Sequence, residues 1–148
     1  EISSPSLADP ALAPEGQSSL ILQSLSSYEW MGCWGTGPNR ERTPAYQELK
    51  AKVADQLIHT AEAVIPGLSQ RIVVRDAATP LTCERYTLNS RGATAGWTWN
   101  PRLNPVKSNA GRYRTPVPNL LQVGHWTSRI GGLSAAALSA KLVSDLIR

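Results

Sequence analysis

Gly131 and Gly132 stand side by side between a short apolar run and a stretch of small and aliphatic residues that continues to Arg148. The run before them, Leu120, Leu121 and Val123, follows Pro116 and Pro118 and stops at Gly124. Proline boundaries and so short a length suit a buried strand better than a helix. Beyond the doublet, Ser134, Lys141, Asp145 and Arg148 recur along one polar face, while Leu133, Ala136, Ala137, Ala140 and Ile147 line another. The tail is therefore expected to be a strand, a tight glycine turn and a close-packing helix. Two missing Cβ atoms where a helix begins let a ligand touch the main chain. The first turn of that helix offers unpaired N–H groups and a partial positive charge, which suit an anionic or electron-rich ligand. A plain loop ahead of an ordinary amphipathic helix has the same spelling, because glycine pairs are common punctuation.

Upstream of this tail the pattern is of mixed α/β (α+β) character, with helical and β-branched segments serving as a support. Residues 1–18 are rich in Ser, Pro and Ala and read as extended loop. Ser19 to Leu25, carrying Leu20, Ile21, Leu22 and Leu25, reads as a buried strand. Tyr28 to Pro38 holds Trp30 and Trp34 among four turn-formers, either capping a core or lining an apolar ligand tunnel with two indoles. Thr43 is an N-cap and Pro44 a first helical residue, and Leu49, Val53, Leu57, Ile58, Ala61 and Ile65 then recur at helical spacing up to Pro66-Gly67. His59 adjoins that stripe with no second ligand three or four residues away, so it reads as a surface or packing histidine and not a metal ligand. Ile72-Val73-Val74 is a β-branched run and a predicted strand. Thr79-Pro80 is a second helix start, predicting a short helix to about Thr87 that orients Arg85 and Tyr86. The loop from Gly92 through Gly96, Trp97 and Trp99 combines small residues with aromatic anchors.

Charge and cysteine usage narrow the partners. Between Arg85 and Arg114 lie six cations and no acidic residue, interleaved with Tyr86, Trp97, Trp99 and Tyr113. Basic groups between stacking rings also occur in single-stranded nucleic-acid grooves, yet no RRM, OB or KH signature accompanies them, and the net charge of +4 is too small to dictate a partner. The same cations suit a peripheral contact with an anionic membrane surface. Cys33 and Cys83 are far apart with no C-x-x-C spacing, so neither a zinc site nor a redox pair is indicated, and buried free thiols in a reducing compartment are expected. No apolar run approaches the roughly 18–20 residues that a spanning helix needs. The expected location is cytoplasmic or peripheral to a membrane.

The tail resembles the last segment of the FAD-dependent oxidoreductases that include bacterial-type phytoene desaturases, carotenoid isomerases and retinol saturases. The matching residues are Thr115-Pro116, Asn119-Leu120, Gly124 and Gly131-Gly132. A second block of likeness runs through Ala78-Thr79-Pro80-Leu81-Thr82, Glu84-Arg85-Tyr86-Thr87, Gly92 and Gly96-Trp97. A third, near the start, is Pro5-Ser6-Leu7, Asp9-Pro10 and Leu12-Ala13-Pro14-Glu15-Gly16. Members of that family bind the FAD pyrophosphate through a Gly-x-Gly-x-x-Gly motif near their N-terminus, and this sequence has none and begins with Glu1.

The resemblance implies a C-terminal fragment of a two-domain FAD-binding flavoprotein. Residues 1–114 would be part of the substrate-binding domain, returning toward the FAD domain, with the Thr43–Pro66 helix in the former. Residues 115–148 would supply the last strand, glycine turn and helix of the Rossmann-like FAD domain. FAD would meet Gly124, His125, Gly131, Gly132 and Leu133, and an apolar polyene would lie near Gly96, Trp97 and Trp99. The reaction implied is desaturation, saturation or isomerisation of a carotenoid or retinoid, with the fragment inactive without the remainder of its parent chain. His125 departs from the acidic residue that many flavoproteins carry there, and Arg129-Ile130 stands where relatives often carry Pro-Gly. No His–Asp–Ser or paired-carboxylate constellation offers a catalytic base. A non-catalytic module that uses residues 85–114 to bind nucleic acid or an apolar ligand is the alternative.

Overall fold

Thr43 and Pro44 start the longest helix, as their capping chemistry dictates. The Thr43 hydroxyl accepts the Tyr46 N–H at 3.2 Å and donates to the Gly35 carbonyl at 2.7 Å, so one side chain starts the helix and fastens the preceding turn to it. The computed structural model describes residues 1–94, 113–127 and 132–147, and the chain forms two compact units, Glu1–Thr82 and Cys83–Arg148. Helix dominates a mixed helix and strand content.

In the first unit, β1 (Ile2–Ser3) pairs antiparallel with β2 (Ile21–Leu22), with Ile2 opposite Leu22 and Ser3 opposite Ile21. This ribbon is far shorter than the buried strand expected over Ser19 to Leu25, and Leu25 is 99% exposed. Two strands alone form no sheet face for those leucines to bury against. The loop that joins them is closed by Ser6 and Ser19, each backbone N–H donating to the other's hydroxyl at 3.1 and 3.0 Å.

The core of this unit gathers on α2 (Pro44–Ala61). Tyr28, Trp34, Tyr46 and Leu81 bury together, with Cys33, Leu49 and Val53 packed against them. Tyr46, absent from the expected apolar stripe, is fully buried, and its hydroxyl shares a 2.9 Å hydrogen bond with the buried Thr79 hydroxyl. Trp34 caps this core, its indole N–H donating to the Ser27 carbonyl at 3.2 Å. It is delivered by α1 (Trp30–Gly35), whose residues Met31 to Trp34 are left-handed, with φ of 49, 67, 54 and 62°. Left-handed helix costs an L-residue about 1–2 kcal/mol. Burial of the Trp34 indole and the Thr43 bond to Gly35 both act against that cost.

Beyond α2, Ile72-Val73-Val74 forms no strand, and Val73 and Val74 are exposed. Their β-branched shape favours extended backbone, but a strand also needs a neighbour, and none pairs with them among the described residues. Side chains fix the segment that follows instead: Arg75 pairs with Asp55, and Asp76 lies 3.9 Å from Lys50, both partners on α2. The Thr79-Pro80 signal produces α3 (Pro80–Thr87), as predicted. His59 is exposed, 4.0 Å from the Glu62 carboxylate. Cys33 and Cys83 are free thiols, half-buried where full burial was expected.

Candidate functional site

The second unit contains the expected ligand-facing tail. The segment from Tyr113 to Gln122 doubles back on itself: Gln122 N–H donates to the Tyr113 carbonyl at 2.8 Å, Thr115 N–H to the Leu120 carbonyl at 3.2 Å, and Arg114 bridges Leu121. The Thr115 hydroxyl also donates to the Leu120 carbonyl, at 2.9 Å. Asn119 turns the chain with φ of 63°, a conformation that asparagine tolerates better than most residues. The expected buried strand is thus a single bridge in a tight loop, with Leu120 and Val123 exposed. Two prolines within three residues remove the N–H donors that a longer ladder would require.

Gly124 follows with φ of 113°, and a Cβ there would meet no atom within 4 Å. Its own hydrogen-bonding groups are engaged inside the unit. The N–H donates to the Ser139 hydroxyl at 2.8 Å, and the carbonyl accepts from the Thr127 N–H at 3.1 Å and the Thr127 hydroxyl at 2.6 Å. These bonds close a short 3₁₀ turn, His125–Thr127. The His125 ring lies 5.2 Å from the Trp126 ring, tilted by 39°. Its Nε2 is shielded from solvent and has no hydrogen-bond partner among the described residues.

The helix after the glycine doublet forms as predicted, as α4 (Leu133–Ile147). Gly132 precedes it with φ of 92°, exposed, and a Cβ there would meet nothing within 4 Å. The Gly132 carbonyl accepts the Ala136 N–H at 3.1 Å, the first bond of the helical ladder. Hence the N–H groups of Leu133 and Ser134 open the helix without intrahelical acceptors. Leu133 is 92% exposed. The buried face differs from the expected one. Ala135, Ser139 and Val143 are buried at four-residue spacing, whereas Leu133, Ala137, Ala140 and Ile147 are exposed.

Of the residues expected to meet a cofactor, Gly124, His125, Gly132 and Leu133 are described, and Gly131 lies outside the described residues, as do Gly96, Trp97 and Trp99 of the expected substrate wall. Gly124 and His125 are joined through Ser139 to the same helix that Gly132 and Leu133 open. Sequence reasoning missed Ser139. A lone polar residue between Ala135 and Val143, at helical spacing with both, was its only signal.

Comparison with known proteins gives relatives named as retinol reductases and as prolycopene isomerases. The chain is 30% identical to all-trans-retinol 13,14-reductase from Danio rerio over 127 residues, which cover 83% of this chain and 21% of that protein. It is 30% identical to the protein of the same name from Macaca fascicularis over 157 aligned positions, 98% of this chain and 26% of the relative. A chloroplastic prolycopene isomerase from Daucus carota is 34% identical over 93 residues, 62% of this chain and 14% of that enzyme. The chain belongs to the phytoene desaturase, carotenoid isomerase and retinol saturase family. The chain spans about a quarter of the length of the retinol reductases it matches. No family model and no solved structure matches it.

Proposed function

We propose that this chain is the C-terminal part of an FAD-dependent enzyme that desaturates, saturates or isomerises an apolar polyene of the carotenoid or retinoid class. The observation that carries the reading is that one unit holds both an open main-chain turn at Gly132 and the shielded Nε2 of His125, which has no hydrogen-bond partner among the described residues. The relatives support the substrate class, since their names refer to all-trans-retinol and prolycopene.

The residues present fit the cofactor. The N–H groups of Leu133 and Ser134 would hold the electron-rich edge of the flavin, where a helix N-terminus favours negative charge. Each such bond to a charged group is worth on the order of 1.5–3 kcal/mol, enough to tune a potential and too little to account for catalysis. His125 would hydrogen-bond a hydroxyl of the cofactor through Nε2, satisfying the atom that is otherwise orphaned. Gly124 would contribute close approach and not a donor, because its N–H is already given to Ser139. FAD, when bound, supplies the electron exchange with the polyene, chemistry no side chain here could supply. In the full protein, residues 115–148 would close the flavin domain and residues 1–114 would contribute to the substrate domain.

The test is the absorbance spectrum of the full-length parent protein after purification. Flavin bands that persist through gel filtration, and that bleach and return as a polyene substrate is turned over, are the expected result. A colourless protein that gains no flavin bands on incubation with FAD would refute the reading.

A further inference from the structure

Ser139 sits in the middle of α4 with its side chain fully buried, on a face otherwise built from Ala135 and Val143. Alanine would fit such a face with better helix propensity, so packing alone gives no reason for a hydroxyl. The hydroxyl is fully used. Its single hydrogen goes to the Ala136 carbonyl at 2.7 Å, which orients the oxygen, and that oxygen accepts the Gly124 N–H at 2.8 Å, from a residue fifteen positions earlier. Gly124 in turn anchors Thr127 through two bonds to its carbonyl. The turn carrying His125 is therefore fastened to the body of the helix whose first residues are Leu133 and Ser134.

We propose that Ser139 is a positioning residue: it sets His125 relative to the open first turn of α4, so that both meet one ligand at once. The inference rests on the flavin reading above and extends it to a residue that touches no cofactor itself. Without the hydroxyl, the Gly124 N–H loses its acceptor and the 124–127 turn its tie to the helix.

The experiment uses the full-length protein, comparing Ser139→Ala, Ser139→Cys and, as a control on the exposed side of α4, Ser144→Ala. Three quantities are read: the FAD dissociation constant, the flavin midpoint potential, and the melting temperature of the FAD-free form. For Ser139→Ala the FAD dissociation constant should rise roughly tenfold, the size expected if the displaced turn costs the cofactor one hydrogen bond from His125, and the potential should shift. Ser139→Cys keeps the volume with a weaker acceptor and should fall between, while Ser144→Ala should match the parent. Wild-type affinity and potential in Ser139→Ala, even with a lowered melting temperature, would overturn the proposal and leave Ser139 a purely structural residue. If Ser139→Ala does not fold, Ser139→Cys decides in the same way: weakened FAD binding at an unchanged melting temperature supports it, and parent values in both quantities defeat it. An unsubstituted full-length protein that binds no FAD would instead bring down the flavin reading, and this inference with it.

Discussion

Replacing Tyr46 with phenylalanine removes one oxygen from a fully buried position and leaves the Thr79 hydroxyl, itself buried, without its partner. Among the described residues the Thr79 hydroxyl has no other hydrogen bond, so stranding it should cost about 1–3 kcal/mol. Thr79→Val strands the Tyr46 hydroxyl in the same way, and the same range applies on the same grounds. When both are replaced, no polar group is left unsatisfied, and the loss should fall to about 0.5–1.5 kcal/mol, the net worth of one hydrogen bond. The double variant should thus be no less stable than either single variant, a strongly non-additive cycle. Urea unfolding of this chain, followed by tryptophan fluorescence with Trp34 in the same cluster, measures all four corners. A double variant whose loss equals the sum of the two single losses would refute the reasoning, because the two hydroxyls would then not depend on each other.

Thr43→Ala removes both the helix cap and the tie to Gly35, and should destabilise the chain by about 1–2 kcal/mol in the same unfolding assay. The Ser69 hydroxyl, then its backbone N–H, hold the Glu62 carboxyl below its ordinary range, with a smaller pull from His59. A lowered folded-state value gives stability that is present above the unfolded carboxylate value and lost as pH falls through the folded one. Glu62→Gln should therefore be the less stable protein at neutral pH, with the gap to the parent closing as the solution becomes acidic; a gap that stays constant across that range contradicts the assignment. The cations between Arg85 and Arg114 predict partial association of the full-length protein with anionic vesicles that high salt releases, and partitioning indifferent to salt would discard that contact. No helix among the described residues is long and apolar enough to cross a membrane.

Helices were legible in this sequence because their start signals are local. Thr43-Pro44 and Thr79-Pro80 each pair a cap with a residue whose φ suits a first turn, and both helices begin there. The helix after Gly132 was legible for the same reason, since a glycine boundary and a run of small residues need no distant partner. Strands were not legible. The apolar runs at 19–25, 72–74 and 120–123 have the composition of strands, but pairing is a property of two segments, and these found little or none. The left-handed turn Met31 to Trp34 was hidden as well, because three of its four residues are not glycine and the contacts that hold it, burial of the Trp34 indole and the Thr43 bond to Gly35, come from elsewhere in the chain.

At the candidate site, sequence pattern pointed to the open turn at Gly132, where the missing Cβ is itself the signal. It did not reveal which face of α4 would bury. An alanine-rich helix has a weak stripe, and the choice of Ala135, Ser139 and Val143 over Leu133, Ala137 and Ile147 was made by the loop that packs against it through Gly124. Nor did it reveal that the Gly124 donor is spent inside the fold.

Ser134→Glu in the full-length protein tests the central claim most directly, because it sets two effects of the same helix terminus against each other. A carboxylate in the first turn stabilises a helix by about 0.3–1 kcal/mol, so the FAD-free form should hold or gain thermal stability. The same charge would repel the reduced, electron-rich flavin held there and lower its midpoint potential while weakening FAD retention. A variant of undiminished stability with a lowered flavin potential is the predicted result. A variant whose flavin content and potential equal those of the parent would contradict the account, since the first turn of α4 would then face water and not the cofactor.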